Sequence, residues 1–358
     1  MKMTPQADIR KQSAAQLEEW FIQRNHPKFR VKQVLEWLWK KSVGDFEHMT
    51  NLSQNLRKEL AESFVIRPVQ ACDVQKSSDR TIKTAFRLHD GPVVEGVLIP
   101  TTSRMTACIS SQAGCSLTCA FCATGKLKLL RNLDAGEIYD QVAFIRKQSE
   151  ENYGIPLSNI VYMGMGEPLL NYKNVLESIG RITSPDGLGM SPQRITVSTA
   201  GIGKMIRKLG DDKVKFNLAL SLHAADDEKR SKIMPINESN SLEELSAALL
   251  HFYRETGTRP TLEYILFHDF NDSLEDAAKL EQFVRSVPSK VNIIEYNPIG
   301  DGLFQRADEQ RLQRFCSFLE QRGVIVNVRK SRGKDIDAAC GQLANKNKGA
   351  KAEQKSDA

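Results

Sequence analysis

Four of the seven cysteines in this 358-residue chain fall within fifteen positions, in the stretch CISSQAGCSLTCAFC from Cys108 to Cys122. Cys115, Cys119 and Cys122 follow the spacing C-x3-C-x2-C, Cys108 lies ahead of them, and Cys340 stands far downstream in RGKDIDAACGQL. Three thiolates on one tight loop can hold zinc if a fourth ligand arrives from elsewhere, or three irons of a 4Fe–4S cluster whose fourth iron stays open. The usual zinc knuckle pairs C-x2-C units, and no second pair exists here, so a cuboidal cluster fits the spacing better. Cys72 and Cys316 match no pattern and read as packing residues.

Such a loop needs a scaffold that fixes it. From residue 105 short apolar runs alternate with longer helical patterns: MTACIS, NIVYMGM, RITVSTA, FNLALSL, TLEYILF and VNIIEYN, with VIVNV following. The segments between them, such as DAGEIYDQVAFIRKQ and LEDAAKLEQFVRSV, space apolar residues at three and four. Serial strand–helix units predict a parallel sheet closing into a full or partial (β/α) barrel, where chemistry collects at the C-terminal strand ends. The cysteine loop follows the first of these strands, and MGMGEP, ending at Pro168, follows the second. Ahead of them, residues 12–64 read as helices and carry Trp20, Trp37 and Trp39 at helical spacing, which predicts core rather than a base-stacking platform. DRTIKTAFRL and PVVEGVLIP, separated by HDG, predict a β-hairpin.

Composition narrows the class without naming a function. Hydrophobic content of 41% and charged content of 26% are ordinary for a globular protein, and no run approaches a membrane span. The polar start MKMTPQADIRKQ lacks the apolar segment of a secretory signal, so the expected compartment is the cytoplasm. Clustered cysteines there are more often metal ligands or redox catalysts than structural disulfides. A net charge of +6 fits a polyanionic partner without requiring one.

Phe121, just before the last clustered cysteine, completes C-x3-C-x-F-C, which resembles the signature of the radical S-adenosylmethionine (SAM) enzymes. MGMGEP resembles that superfamily's glycine–glutamate motif, which implies that the backbone at Gly166 and the Glu167 side chain bind the amino group of SAM. Over roughly residues 20–345 the motifs ACISSQAGCSLTCAFCATG, MGMGEPLLN, ITVSTAGI, LALSLHAADDEKRSKIMPIN, EYNPI and DIDAACGQL, in that order, resemble the RlmN/Cfr family of rRNA adenosine methyltransferases.

The resemblance implies an α/β fold, a partial (β/α)6 TIM-like barrel. Residues 1–67 would be a helical RNA-binding accessory domain and 68–100 a β-hairpin extension. The barrel with the catalytic cysteine segment would span 101–343, and 344–358 a disordered basic tail. It also implies a division of labour among the cysteines. Cys115, Cys119 and Cys122 hold one 4Fe–4S cluster, Cys340 carries a methyl group, Cys108 resolves the intermediate through a disulfide, and Glu95 accepts a proton. A carboxylate among apolar residues, as in VVEGVLIP, is expected to have a raised pKa. Ser198, Ser221, Leu222, His223 and Asn297 match the family's SAM contacts; alone, the serines read as caps and Asn297-Pro298 as a turn.

Two SAM molecules serve each turnover in that scheme, because the target adenine carbon has no lone pair with which to attack a methyl donor. The implied partners are 23S rRNA, in some members tRNA at the adenosine beside the anticodon, and a reducing protein such as flavodoxin or ferredoxin. No membrane partner is implied, and the chain is expected to be a monomer. GEP in MGMGEPLLN looks more like the group that methylates carbon 2; the sister group, which methylates carbon 8 and confers drug resistance, commonly shows GEA.

Overall fold

The computed structural model describes residues 6–346. Three short helices come first: α1 (Ala14–Gln23), α2 (Phe29–Trp39) and α3 (Gln54–Ser63). Ser13 caps α1 in a reciprocal pair with Gln16, and Ser53 caps α3. The apolar stripes meet at Leu17, Phe21, Val34, Leu38, Leu56 and Leu60, all buried, with Trp20 and Trp39 joining that core.

The helices are fixed to the rest of the chain by a buried charge cluster. Arg10 Nη1 lies 2.7 Å from Asp140 Oδ2, and its Nη2 lies 3.0 Å from Asp8 Oδ2 and 2.7 Å from the Arg67 carbonyl. Asp140 belongs to α4 (Ala135–Tyr153) and also accepts the Val69 amide at 3.1 Å. Burial pushes the Asp140 carboxyl up, while Arg10 holds Asp8 down despite its own burial. Removing the shared cation strands two buried carboxylates, so Arg10→Met should cost about 3–5 kcal/mol. A thermal melt of the full chain checks this, and an unchanged midpoint would contradict it.

Ten strands form one sheet whose spatial order follows chain order. They are β1 (Gln70–Lys76), β2 (Ile82–Arg87), β3 (Val93–Pro100), β4 (Met105–Cys108), β5 (Asn159–Tyr162), β6 (Ile195–Thr199), β7 (Asn217–Ser221), β8 (Thr261–Leu266), β9 (Lys290–Glu295) and β10 (Val326–Arg329). The chain runs antiparallel from β1 to β4. From β4 to β10 every pairing is parallel. Helices bridge the parallel strands: α4, α5 (Tyr172–Thr183), α6 (Gly203–Asp211), α7 (Asp227–Ile233), α8 (Leu242–Thr256), α9 (Leu274–Ser286) and α10 (Glu309–Glu320). β8 is buried along its whole length, as a parallel strand covered on both faces must be. This is the expected mixed α/β architecture on a parallel sheet.

Two features differ from the sequence reading. The hairpin is the inner part of a three-stranded antiparallel sheet, continuous with the barrel. Its edge strand β1, QACDVQK, is largely exposed and polar, so it carries no apolar alternation to betray it. At the other end, residues 347–358 of the tail lie outside the described residues, whereas Ala344 and Asn345 are hydrogen-bonded to Glu95 and belong to the folded body.

Candidate active site

The strand ends converge on one cavity of about 220 Å³, lined from Cys108 on β4 round to Arg329 on β10. Cys108 sits centrally in the sheet, paired in register with Val97 on one side and Val161 on the other. Cys340 reaches the same cavity from the C-terminal segment.

Backbone hydrogen bonds tie the cysteine loop to two other segments. The Ala120 amide bonds the Ile233 carbonyl at 2.9 Å, and the Ala123 amide bonds the Gly341 carbonyl at 2.7 Å. Phe121 packs edge-on against His223, with ring centroids 4.7 Å apart, and tilted against Phe267. Cys115, Cys119 and Cys122 all line the cavity and all are free thiols. Burial pushes the Cys115 thiol up to about 11; Cys119 and Cys122 are likewise raised, and Cys119 faces added repulsion from both other thiols as anions. A bound cation reverses that penalty by replacing protons. The C-x3-C-x2-C spacing of the three cysteines on one loop suits a cluster with one iron per thiolate. Among the described residues, ligand atoms of His89, Asp90 and Glu137 lie within 4.8 Å of one another. There Arg131 already bridges Asp90 and Glu137, at 2.6 and 2.7 Å, making an ion-pair network.

Gly166 has φ +94°, and a Cβ there would stand 2.4 Å from Gln112 Cβ. Only glycine fits, and the tight turn brings the Glu167 amide to Gln112 Oε1 at 2.7 Å. Gly166→Ala should therefore cost about 1–3 kcal/mol of strain, more if Gln112 cannot move, read as a lower denaturant midpoint. Equal midpoints would contradict the geometry. Glu167 is buried; its two oxygens accept the Leu169 amide at 3.0 Å and the Ala200 amide at 2.7 Å, leaving lone pairs toward the cavity that it lines. Burial raises its pKa, and those amides oppose the rise.

Ser198 and Ser221 line the cavity with their hydroxyls 3.4 Å apart. His223, buried at φ +57°, accepts the Ile265 amide on Nδ1 at 3.1 Å. Burial, then the Arg230 charge, pulls its pKa down to about 3, so it stays neutral. Leu222 is not on the cavity wall: its side chain is fully buried and its amide bonds the Glu263 carbonyl. Asn297 donates from Nδ2 to the Cys340 carbonyl at 3.3 Å, while its buried Oδ1 has no protein partner. Asn297, like Leu222, is off the cavity wall, one hydrogen bond behind Cys340; an orphaned buried acceptor there is the kind of group a polar ligand completes.

Glu95 is completely buried yet off the cavity wall. It is not a carboxylate alone among apolar residues, because Lys83 Nζ stands 3.5 Å from Oε1 and Oε2 accepts the Ala344 and Asn345 amides. Cys316 is in the core and Cys72 donates weakly to the Ala85 carbonyl.

Sequence reasoning missed Arg230, a fully buried guanidinium that bonds the carbonyls of Ala200, Ser221 and Leu222 and the Asn237 side chain. It ties the ends of β6 and β7 together behind the cavity. It missed Glu263 and Arg329 too, a 3.1 Å ion pair on the cavity wall. Arg329 ends β10, but Glu263 lies in the middle of β8 and Arg230 on α7, so nothing local in the sequence marks either.

Residues 8–66 match the family described as the ribosomal RNA large subunit methyltransferase N-terminal domain, and residues 109–280 match the radical SAM superfamily. A Cytophaga hutchinsonii protein named "probable dual-specificity RNA methyltransferase RlmN" is 57% identical over 94% of this chain and 92% of its own length. A Nautilia profundicola protein named "dual-specificity RNA methyltransferase RlmN" is 40% identical over 92% of this chain and 96% of its own. The crystal structure of a radical SAM methyltransferase from Sphaerobacter thermophilus superposes with a TM-score of 0.89 at 39% identity, covering 95% of this chain and 99% of that one. No helix among the described residues is long and apolar enough to cross a membrane.

Proposed function

This chain belongs to the RlmN family of radical SAM RNA methyltransferases, and from that premise we propose that it methylates carbon 2 of an adenosine in 23S rRNA at the peptidyl-transferase centre, and the adenosine beside the anticodon of some tRNAs. The observation that carries the reading is the meeting of Cys108 and Cys340, more than two hundred residues apart, in the cavity that the three cluster cysteines also line. Two relatives carry dual-specificity RNA methyltransferase names, which supports the RNA class, and Pro168 after Gly166-Glu167 favours carbon 2 over carbon 8.

Cys115, Cys119 and Cys122 would hold the cluster, with Gly166, Glu167, Ser198, Ser221, His223 and Asn297 around SAM. Bound together, cluster and SAM supply a one-electron cleavage whose adenosyl radical can take a hydrogen from an S-methyl group. Cys340 receives a methyl group from one SAM and presents it to the cavity. Once the methylene carbon is bonded to adenine, the adduct must give up one electron, back to the oxidised cluster, and the proton of the target carbon; the resemblance assigns that proton to Glu95, which stands behind the cavity wall rather than on it. The Cys108 thiolate then attacks Cys340 Sγ; the C–S bond breaks, its electron pair leaves with the methylene carbon, which takes up a proton equivalent to the one the Cys108 thiol gave up and so becomes the RNA methyl group, and an S–S bond forms. An external reductant such as flavodoxin or ferredoxin resets the thiols and supplies the electron. Burial pushes the Cys108 thiol up to about 12; the Cys340 thiol, exposed into the cavity but surrounded by protein, is raised as well, and Arg329 opposes the rise at each. The enzyme acts as a monomer.

An unstacked adenosine in a loop reaches such a cavity more readily than a paired one. Nucleoside mass spectrometry of rRNA and tRNA from cells lacking, then re-expressing, the gene tests the reading. 2-Methyladenosine should vanish and return; 8-methyladenosine following the gene instead would overturn the carbon assignment.

A further inference from the structure

Lys83 is an unexplained buried charge. It lies on β2, where Ile82, Ala85 and Phe86 are core residues, and its side chain is 3% exposed. Burying an ammonium is costly unless it is paired, and a methionine would fill the same strand position without that cost. The cavity does not include Lys83 in its wall. What its Nζ reaches is Glu95 Oε1 at 3.5 Å and the Asp337 carbonyl at 3.4 Å.

Those two contacts acquire meaning from the path of residues 333–345. The chain leaves edge strand β10 at Arg329 and by Gly333 has reached the turn beside the other edge strand, β1; from there 333–345 runs as a strap to β3. Its start docks on the turn between β1 and β2. There the Gly333 amide bonds Asp79 Oδ2 at 2.9 Å, Asp335 accepts the Ser77 hydroxyl at 2.5 Å, and the Ser78 amide bonds Asp335 at 3.0 Å. A Cβ at Gly333 would meet Ala338 Cβ at 2.7 Å, so the approach is close. Its end docks on β3, where Glu95 Oε2 accepts the Ala344 amide at 2.9 Å and the Asn345 amide at 3.2 Å, and Asn345 Nδ2 bonds the Val93 carbonyl at 2.7 Å. Lys83 therefore grips the strap three residues before Cys340, Glu95 grips it four and five residues after, and the ion pair joins the two grips.

We propose that Lys83 is a positioning residue for Cys340: with Glu95 it forms a clasp on the antiparallel sheet that holds both sides of the strap and so fixes where the Cys340 sulfur enters the cavity. The barrel holds the strap's inner side through the Ala123–Gly341 bond, the Thr124 hydroxyl on the Leu343 carbonyl at 2.6 Å and Asn297 on Cys340. The clasp fixes its outer side. This gives the antiparallel sheet a purpose beyond covering the barrel edge. The proposal rests on the reading of Cys340 as the methyl carrier.

The test is hydrogen exchange by mass spectrometry on the full-length holoenzyme, together with single-turnover methyl transfer from Cys340 to RNA. Lys83→Met should raise exchange at the amides of residues 337–345 about tenfold or more while the α8 and α9 amides stay protected, and should slow transfer by a similar factor with RNA affinity unchanged. Lys83→Arg, which keeps the cation, should restore both. A folded Lys83→Met protein with native exchange in 337–345, or with native transfer, overturns the proposal. Should Lys83→Met not fold, Ser77→Ala removes the strap's other outer anchor, and unchanged exchange across 333–345 there overturns it equally. Exchange does not depend on what Cys340 carries. A Cys340→Ala enzyme that still methylates RNA would sink the reading of Cys340 and leave the clasp standing.

Discussion

Cys340→Ala should form no methylated RNA at all, while keeping its iron and its fold. Cys340 is exposed into the cavity, and its loss removes one sulfur from a strap fixed at many other points. Alanine at this accessible position leaves no large void, so stability should shift by well under the roughly 2 kcal/mol of a buried truncation. The chemistry has no substitute for it. The nearest thiol on the cavity wall outside the cluster triad is Cys108, which is buried at the end of β4 rather than carried on the strap. The check is RNA product by mass spectrometry beside an iron assay. Iron lost along with activity would mean that Cys340 is a ligand, and residual methylation would mean that another atom carries the carbon.

Cys108→Ala should fail in a different way, by stopping after one event with RNA joined to protein. In the proposed sequence Cys108 acts last, attacking Cys340 Sγ to release the product. Without it the C–S bond has no thiolate to break it, and the adduct persists. A denaturing gel with labelled RNA should show a shifted band that Cys340→Ala never gives. The two variants therefore separate carrier from resolver, which a loss of activity alone cannot do. Normal turnover by Cys108→Ala would remove it from the mechanism.

These residues were legible because their chemistry is written locally. C-x3-C-x-F-C within eight residues, and Gly-Glu at the end of an apolar run, declare a ligand loop and a turn whatever the rest of the chain does. The parallel strands were equally visible, since strands buried on both faces are largely apolar, as β8 is apart from Thr261 and Glu263. What escaped is non-local. Arg230 lies among charged residues in DDEKRSK, and only the fold turns it inward onto three carbonyls. Lys83 looks like the solvent side of a strand until the strap covers it. Glu95 was singled out by resemblance alone; its bond to the Ala344 amide joins segments 249 positions apart. The edge strand β1 is polar because it faces water, so periodicity could not find it.

The measurement that tests the account most directly follows the carbon itself. Enzyme whose Cys340 has been pre-methylated with carbon-13 is given unlabelled SAM, a reductant and RNA for one turnover. The account predicts that the carbon added to RNA bears the label, and that Cys340 has lost it. Unlabelled carbon in that first product would contradict it, since the methyl group would then have come from SAM without passing through Cys340.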